Sequence, residues 1–368
     1  MIPALPQPDP IALPAPIWLL WALLILTFTL HLLPMNFVLG GSIVGAVARV
    51  RAALGSAEDA RLAGWIAKAM PIAIASAVTL GVAALLFQQV LYGRLFFTSA
   101  VLMGWFWLAV IPLLLAGYYG AYALAFGGKD PGVNATWLAT AVAGLFLAIA
   151  FVYSNNMSLM LRPFEFVARY QADGRGLHLA TGDAALVPRV LHMVLGAIAV
   201  SGLVVAGYGL SVRTREAAFG TWAIRRGGLW FSTMTGVNLL VGFFWLAMLP
   251  RESILRFMGA NPGATVVLAL GMMLGFGALV TVFMAGSAKD PAPLVKTGIG
   301  LVVATLVLMV LTRDHVRRAA LDTAGFQAVP WTVPQWGPIA VFAVLLVAAV
   351  AVVAWMVAAL ARGGRVTR

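Results

Sequence analysis

Residues 187–211 read VPRVLHMVLGAIAVSGLVVAGYGLS, with one formal charge, Arg189, and one imidazole, His192. A helix rises about 1.5 Å per residue, so roughly 20 apolar residues cross the ~30 Å hydrocarbon core of a bilayer. This stretch is long enough and apolar on every face, which marks a membrane span. Runs of the same kind recur on both sides of it. The spans expected are 17–48, 66–92, 97–126, 134–160, 187–211, 228–249, 263–286, 293–312 and 338–360. Between them lie polar, Gly- and Pro-containing stretches such as RVRAALGSAEDAR, GGKDPG, SVRTREAAFGTWAIRRGG, GSAKDP and GFQAVPWTVPQWGP. Of the 368 residues, 62% are hydrophobic and only 10% charged, where soluble domains carry about a quarter charged. The fold class read from this is an all-α polytopic membrane protein of nine transmembrane helices. Residues 1–368 form a single transmembrane domain, with 1–16 as a short extramembrane lead.

That lead, MIPALPQPDPIALPAP, has no basic residue and so does not read as a secretory signal. The chain has no cysteine, which removes disulfides, cysteine-ligated iron–sulfur clusters and covalently attached c-type haem. Its net charge of +12 belongs to loops and lipid headgroups in a chain of this kind, not to nucleic acid. With the N-terminus outside, fourteen of the 24 Lys and Arg fall on inner segments, and three of the remainder sit in the single loop between the fourth and fifth spans. The bias points to N-out, C-in.

None of the twelve acidic residues lies deep in a span. Proton-coupled carriers place carboxylates inside the membrane, so a carboxylate-driven transporter is disfavoured. Two histidines, His31 and His192, are firmly intramembrane, and ionisable groups there are functional candidates. His178 and His315 fall in polar stretches and read as solvated.

An intramembrane imidazole can be a haem ligand, or a polar packing group bonded to a neighbouring carbonyl; both remain open on residue chemistry. As a ligand, His192 would have Gly196 one turn on, where a small residue admits a flat macrocycle, and Arg189 one turn back, where a guanidinium could pair with a propionate. The partner ligand would come from another span at similar depth. In ALGMMLGFGALV, Met273 fits, with Gly275 and Gly277 thinning the helix and Met272 as the competing choice, although a methionine in a membrane helix is ordinarily a packing residue.

The pattern resembles subunit I of the cytochrome bd oxidase superfamily. HLLPMNFVLG places His31 nine residues before Gly40, as in that family's first helix. LGVAALLFQQVLYG matches the end of the second helix, with Gln89 where the family has Glu. Thr136 to Leu138 match the opening of the fourth, Arg189 and His192 the fifth, and Met273, Gly275 and Gly277 the seventh. The resemblance implies a low-spin haem b on His192 and Met273, and a second haem on His31, with Gly40 and Gly41 opening one wall. Gln88, Gln89, Asn155 and Asn156 would line the same cavity. Three departures stand out. The connection MLPRESILRFMGANPG is far shorter than the oxidases' loop that helps to bind quinol. The third span has no glutamate. The eighth ends in LTRDHVRR, where Asp314 or His315 would have to replace a Glu ligand.

The function implied is a membrane b-type cytochrome with two haems b, relaying electrons in the bacterial inner membrane. Its partner would be a periplasmic c-type cytochrome or another subunit of a membrane complex, docking on the loop LRPFEFVARYQADGRGLHLATGD; the same loop also reads as an interfacial helix with aromatic and basic anchors. Quinol is a further possible donor. A terminal oxygen reductase fed by cytochrome c or quinol, and a haem-free transporter or structural membrane subunit, are the alternatives.

Overall fold

In hydrocarbon every main-chain N–H and C=O needs an internal partner, so apolar runs of this length fold as helices. The computed structural model describes residues 12–127, 133–323 and 332–366. The helices among them are α1 (Ile17–Ala53), α2 (Ala57–Leu102), α3 (Gly104–Phe126), α4 (Val133–Met160), α5 (Phe166–Ala172), α6 (Leu186–Arg213), α7 (Ala217–Ala247), α8 (Arg251–Leu255), α9 (Pro262–Ala285), α10 (Ala292–Thr323) and α11 (Trp336–Val366). Eight of them, all but α5, α8 and α11, are long and apolar enough to cross a membrane, and α11 contains a shorter apolar stretch, Trp336–Ala348. The chain is a multi-pass, all-α membrane protein. The lead up to residue 11, the GGKDPG stretch from Gly128 on and all of GFQAVPW lie outside the described residues.

The helices outrun the expected spans. RVRAALGSAEDAR is almost wholly helical, turning only at Leu54–Ser56, where Gly55 adopts φ +100° and Ser56 caps α2 by accepting from the Asp59 N–H at 3.3 Å. SVRTREAAFGTWAIRRGG is likewise helix on both sides of a three-residue turn. The break expected after residue 92 is only a kink: Tyr92 leaves helical geometry (φ −129°, ψ 23°), α2 continues to Leu102, and the chain turns at Met103. Pro34, Pro71 and Pro112 sit inside helices, as membrane helices tolerate.

One core gathers α1, α2, α4 and α6 around Phe37, Val44, Leu62, Ile66, Ile74 and Phe146. A second joins α6, α7, α9 and α10 through Leu203, Phe231, Ala278 and Val282. The tightest approach is between α1 and α6: a Cβ on Gly40 would stand 2.0 Å from the Ala197 carbonyl oxygen. Gly40 is therefore a helix-packing residue. It lies two and a half turns from His31, on the opposite side of α1, and does not open a wall beside it. The N-terminal segment is tied to the chain before α11, with the Val333 N–H donating to Leu13 O and the Gln335 N–H to Pro14 O.

Candidate functional site

His31 is held between α1 and α2. Its Nδ1 lies 2.8 Å from the Ala77 carbonyl oxygen. A carbonyl only accepts, so Nδ1 donates, and the neutral ring keeps its lone pair on Nε2. Gly81, one turn beyond Ala77, makes room: a Cβ there would meet His31 Cε1 at 2.8 Å. The Phe28 ring stands 6.2 Å from the imidazole on the α1 side. A histidine fixed through one nitrogen by a carbonyl, with the other free, is the usual outer-shell arrangement of a metal-ligating imidazole. It equally satisfies the hydrogen bond of a packing residue.

His192 packs against α7. Gly242 leaves space for the ring, since a Cβ there would stand 3.0 Å from His192 Cε1, and the Trp245 ring lies 5.4 Å away. Two buried polar atoms beside it, Asn238 Oδ1 and Trp245 Nε1, have no hydrogen-bond partner among the described residues, and His192 Nδ1 makes no hydrogen bond of good geometry, its nearest acceptor being the Asn238 main-chain carbonyl. Unpaired buried polar atoms cost free energy. Their clustering around an imidazole marks a place where a bound group would relieve them. Asn238, Gly242 and Trp245 were not singled out from the sequence; their i, i+4, i+7 spacing on one face of α7 was the available signal.

The other expected residues are distributed as follows. Gly196 faces Asn238, whose Nδ2 would lie 3.3 Å from an added Cβ. Arg189 is engaged by Asp183, Nη2 to Oδ2 at 2.8 Å. Met273 lies on the surface of α9, 67% exposed, in a stripe with Phe276, Val280 and Phe283. The buried face of α9, Gly271, Ala278, Val282 and Ala285, turns toward α7 and α10 instead. Met273 and His192 are thus not brought into contact. Gly275 and Gly277 face Thr305 and Leu301 of α10. Met272 is half-buried.

A polar network occupies the same end of the bundle. Asp314 Oδ2 accepts from Trp21 Nε1 at 2.8 Å and from Arg318 Nε at 2.7 Å, and Asp314 Oδ1 pairs with Arg317. Arg317 Nη1 donates to Gln88 Oε1 at 2.8 Å, and its guanidinium lies 4.3 Å over the Tyr92 ring. Gln88, rather than Gln89, is the buried member; Gln89 is half-buried with no hydrogen bond among the described residues. The residues TRDHVRR do not end the helix, because α10 runs on to Thr323. His315 is therefore half-buried beside Phe257, not solvated. Asn155 is satisfied by Phe151 O and the Ala180 N–H, whereas both side-chain polar atoms of the fully buried Asn156 are unpaired.

Over this end folds the loop 161–185. Arg162 and Arg169 both pair with Glu165, and Phe166 is buried, leaving Phe164, Tyr170 and Arg175 outermost. Arg175, through its side chain and then its main-chain N–H, holds the Asp173 carboxyl at about 2. Among the described residues no group of three or more His, Cys, Asp or Glu could hold a metal ion unaided. A metal at His31 or His192 would have to arrive within a larger cofactor. The free Nε2 of His31 and the unpaired polar atoms beside His192 fit such a group.

No family model and no curated protein sequence matches this chain. A solved structure does: the structure of bd oxidase from Geobacillus thermodenitrificans superposes with a TM-score of 0.70 over 94% of this chain and 97% of that chain, at 14% sequence identity. The chain therefore has the fold of a bd oxidase chain.

Proposed function

We propose that this protein is a haem b-binding membrane cytochrome, similar to subunit I of bd oxidases, that relays electrons and exchanges them with a periplasmic c-type cytochrome. The observation that carries the proposal is the pair of prepared imidazoles on a bd oxidase fold: His31 with Nδ1 committed to Ala77 O, and His192 seated over Gly242 with unsatisfied polar neighbours. Haem b, when bound, supplies a one-electron redox centre. The chain's part is to present His31 Nε2, to hold the imidazole orientation through Ala77, and to keep both sites within apolar helices. Met273 is the proposed second ligand to the low-spin haem of His192; its exposed thioether is open to a group that covers that face of α9. The orientation proposed is N-out, C-in, in a bacterial inner membrane, with loop 161–185 on the periplasmic side.

An oxygen reductase fed by cytochrome c or quinol is the second reading, supported by the likeness of fold to a bd oxidase. It is opposed by α3, which has no acidic residue from Gly104 to Phe126, and by Asp314, whose two oxygens are already engaged.

The test is a reduced-minus-oxidised spectrum with a haem count per chain on the purified protein. His192→Ala should abolish a sharp reduced b-type band, and Met273→Leu should convert that haem to a high-spin or His-only form. His31→Ala should remove a second haem and spare the first. A haem-free wild type refutes the proposal. One haem per chain, retained in His31→Ala, assigns His31 to packing.

A further inference from the structure

Arg313 stands where the charge balance of the bundle is incomplete. It lies in α10, one residue past the span expected over 293–312. Its guanidinium sits 4.3 Å over the Phe28 ring, and that ring is 6.2 Å from the His31 imidazole. An arginine of α10 thus reaches the His31 site across one phenyl ring. The charged groups within its electrostatic reach are Arg317, Arg189 and Asp314, two cations and one anion. Asp314 already accepts from Trp21, Arg317 and Arg318, and Asp183 is taken by Arg189. No carboxylate among the described residues pairs with Arg313, and the only acids outside them are Asp9 and Asp130.

A half-buried guanidinium between helices without an anion is costly, and the face of one phenyl ring offsets only part of that cost. Arginine is also the side chain whose fork matches a carboxylate in two parallel hydrogen bonds. We propose that Arg313 is the counter-charge for a carboxylate of the group bound at His31. This rests on the haem reading, under which that carboxylate is a propionate. Arg313 is then a binding residue for the cofactor's edge, on the opposite helix from the ligand. Arg189, engaged by Asp183, is not needed for this role.

A purely structural arginine would stabilise the chain whether or not the His31 site is filled. A counter-charge stabilises it only when the anion is there, and is a liability otherwise. The experiment is a double-mutant cycle on the full chain in detergent: wild type, Arg313→Gln, His31→Ala and the double variant, read by thermal melting, haem count and the midpoint potential of each haem. Arg313→Gln alone should lower the melting temperature and either release the His31-dependent haem or shift its midpoint downward, since losing a nearby positive charge favours the ferric form. Arg313→Lys should leave that midpoint closer to wild type. In the His31→Ala background, Arg313→Gln should leave the melting temperature unchanged or raise it. A fall in melting temperature in both backgrounds overturns the inference, as does an unmoved midpoint with full haem content. If Arg313→Gln does not accumulate, recovery of the double variant supports the inference and its equal failure overturns it. Asp9→Asn reproducing the Arg313→Gln effects would make Asp9 the partner and also overturn it. A wild type without haem fails this inference and the functional proposal together, whereas two haems indifferent to Arg313 fail this inference alone.

Discussion

Gly40→Ala should loosen the bundle at the seam between the two histidine-bearing helices. The added Cβ would stand 2.0 Å from Ala197 O, 2.2 Å from Ala197 C and 2.6 Å from Ile198 N. All three are main-chain atoms of α6, so no rotamer change relieves the clash. Restoring an ordinary contact of about 3.4 Å means drawing α1 and α6 apart by roughly 1.4 Å at this point. One turn away on each helix, Ser201 Oγ donates to Asn36 O at 3.1 Å, and the same displacement breaks that bond. Overpacking of this kind costs about 1–3 kcal/mol, and the lost hydrogen bond about 1 kcal/mol more. A loss near 3 kcal/mol lowers the folded-to-unfolded ratio on the order of 100-fold. The assay is reversible unfolding in mixed detergent micelles, followed by far-UV circular dichroism. Gly144→Ala is the control, because nothing lies within 4 Å of a Cβ there; it should stay within about 0.5 kcal/mol of the wild type. Gly40→Ala unfolding together with Gly144→Ala would refute the packing argument.

Gly81→Leu should push the His31 ring from its place, because its Cβ alone would meet Cε1 at 2.8 Å; one haem should be lost and the His192-dependent one kept, and two haems in this variant would contradict the placement. The Asp173 carboxyl is depressed by Arg175, so the stability it contributes is present above the ordinary aspartate value of ~3.9 and lost as the pH falls through about 2. Hydrogen exchange across residues 173–178, corrected for intrinsic rates, should therefore keep its protection down to about pH 4 and lose it near pH 2; Asp173→Asn should lack this step, and protection lost already at pH 5 would contradict it. Oxygen reduction should be slow, because α3 offers no acidic relay from Gly104 to Phe126; rapid, cyanide-insensitive oxygen consumption by the purified protein would overturn this.

Span positions were legible because hydrocarbon imposes one solution on an apolar run. Helix ends were not. Arg51, Glu58 and Asp59 look like loop residues by polarity, yet a helix leaving the bilayer keeps its main-chain bonds and becomes polar without stopping. The two intramembrane histidines stood out by charge chemistry. Their surroundings did not, because Gly81 and Gly242 matter through the helix they face, and a single sequence does not say which helices meet. Gly40 was the instructive error. Its spacing from His31 matched a family pattern, but nine residues are two and a half turns, and that arithmetic alone sets the two on opposite sides. Gly275 and Gly277 show the same dependence on neighbours: small residues thin a helix for whatever faces them, and Thr305 and Leu301 of α10 lie against them at ordinary contact distance.

At about 1.5 Å per residue, the 46 residues of α2 measure roughly 69 Å, more than twice the hydrocarbon thickness. Such a rod transmits force along its length except where it is jointed, and its joint is Tyr92. Beyond it, residues 93–102 form an arm of about 15 Å. The arm's tip grips the loop 161–185, with the His178 N–H donating to Leu102 O at 2.9 Å. The joint itself lies beneath the Arg317 guanidinium. A partner that pulls on the loop would therefore work a lever whose fulcrum is clamped by an ion-paired arginine, so the stiffness of that clamp sets how far a tug at the surface travels inward.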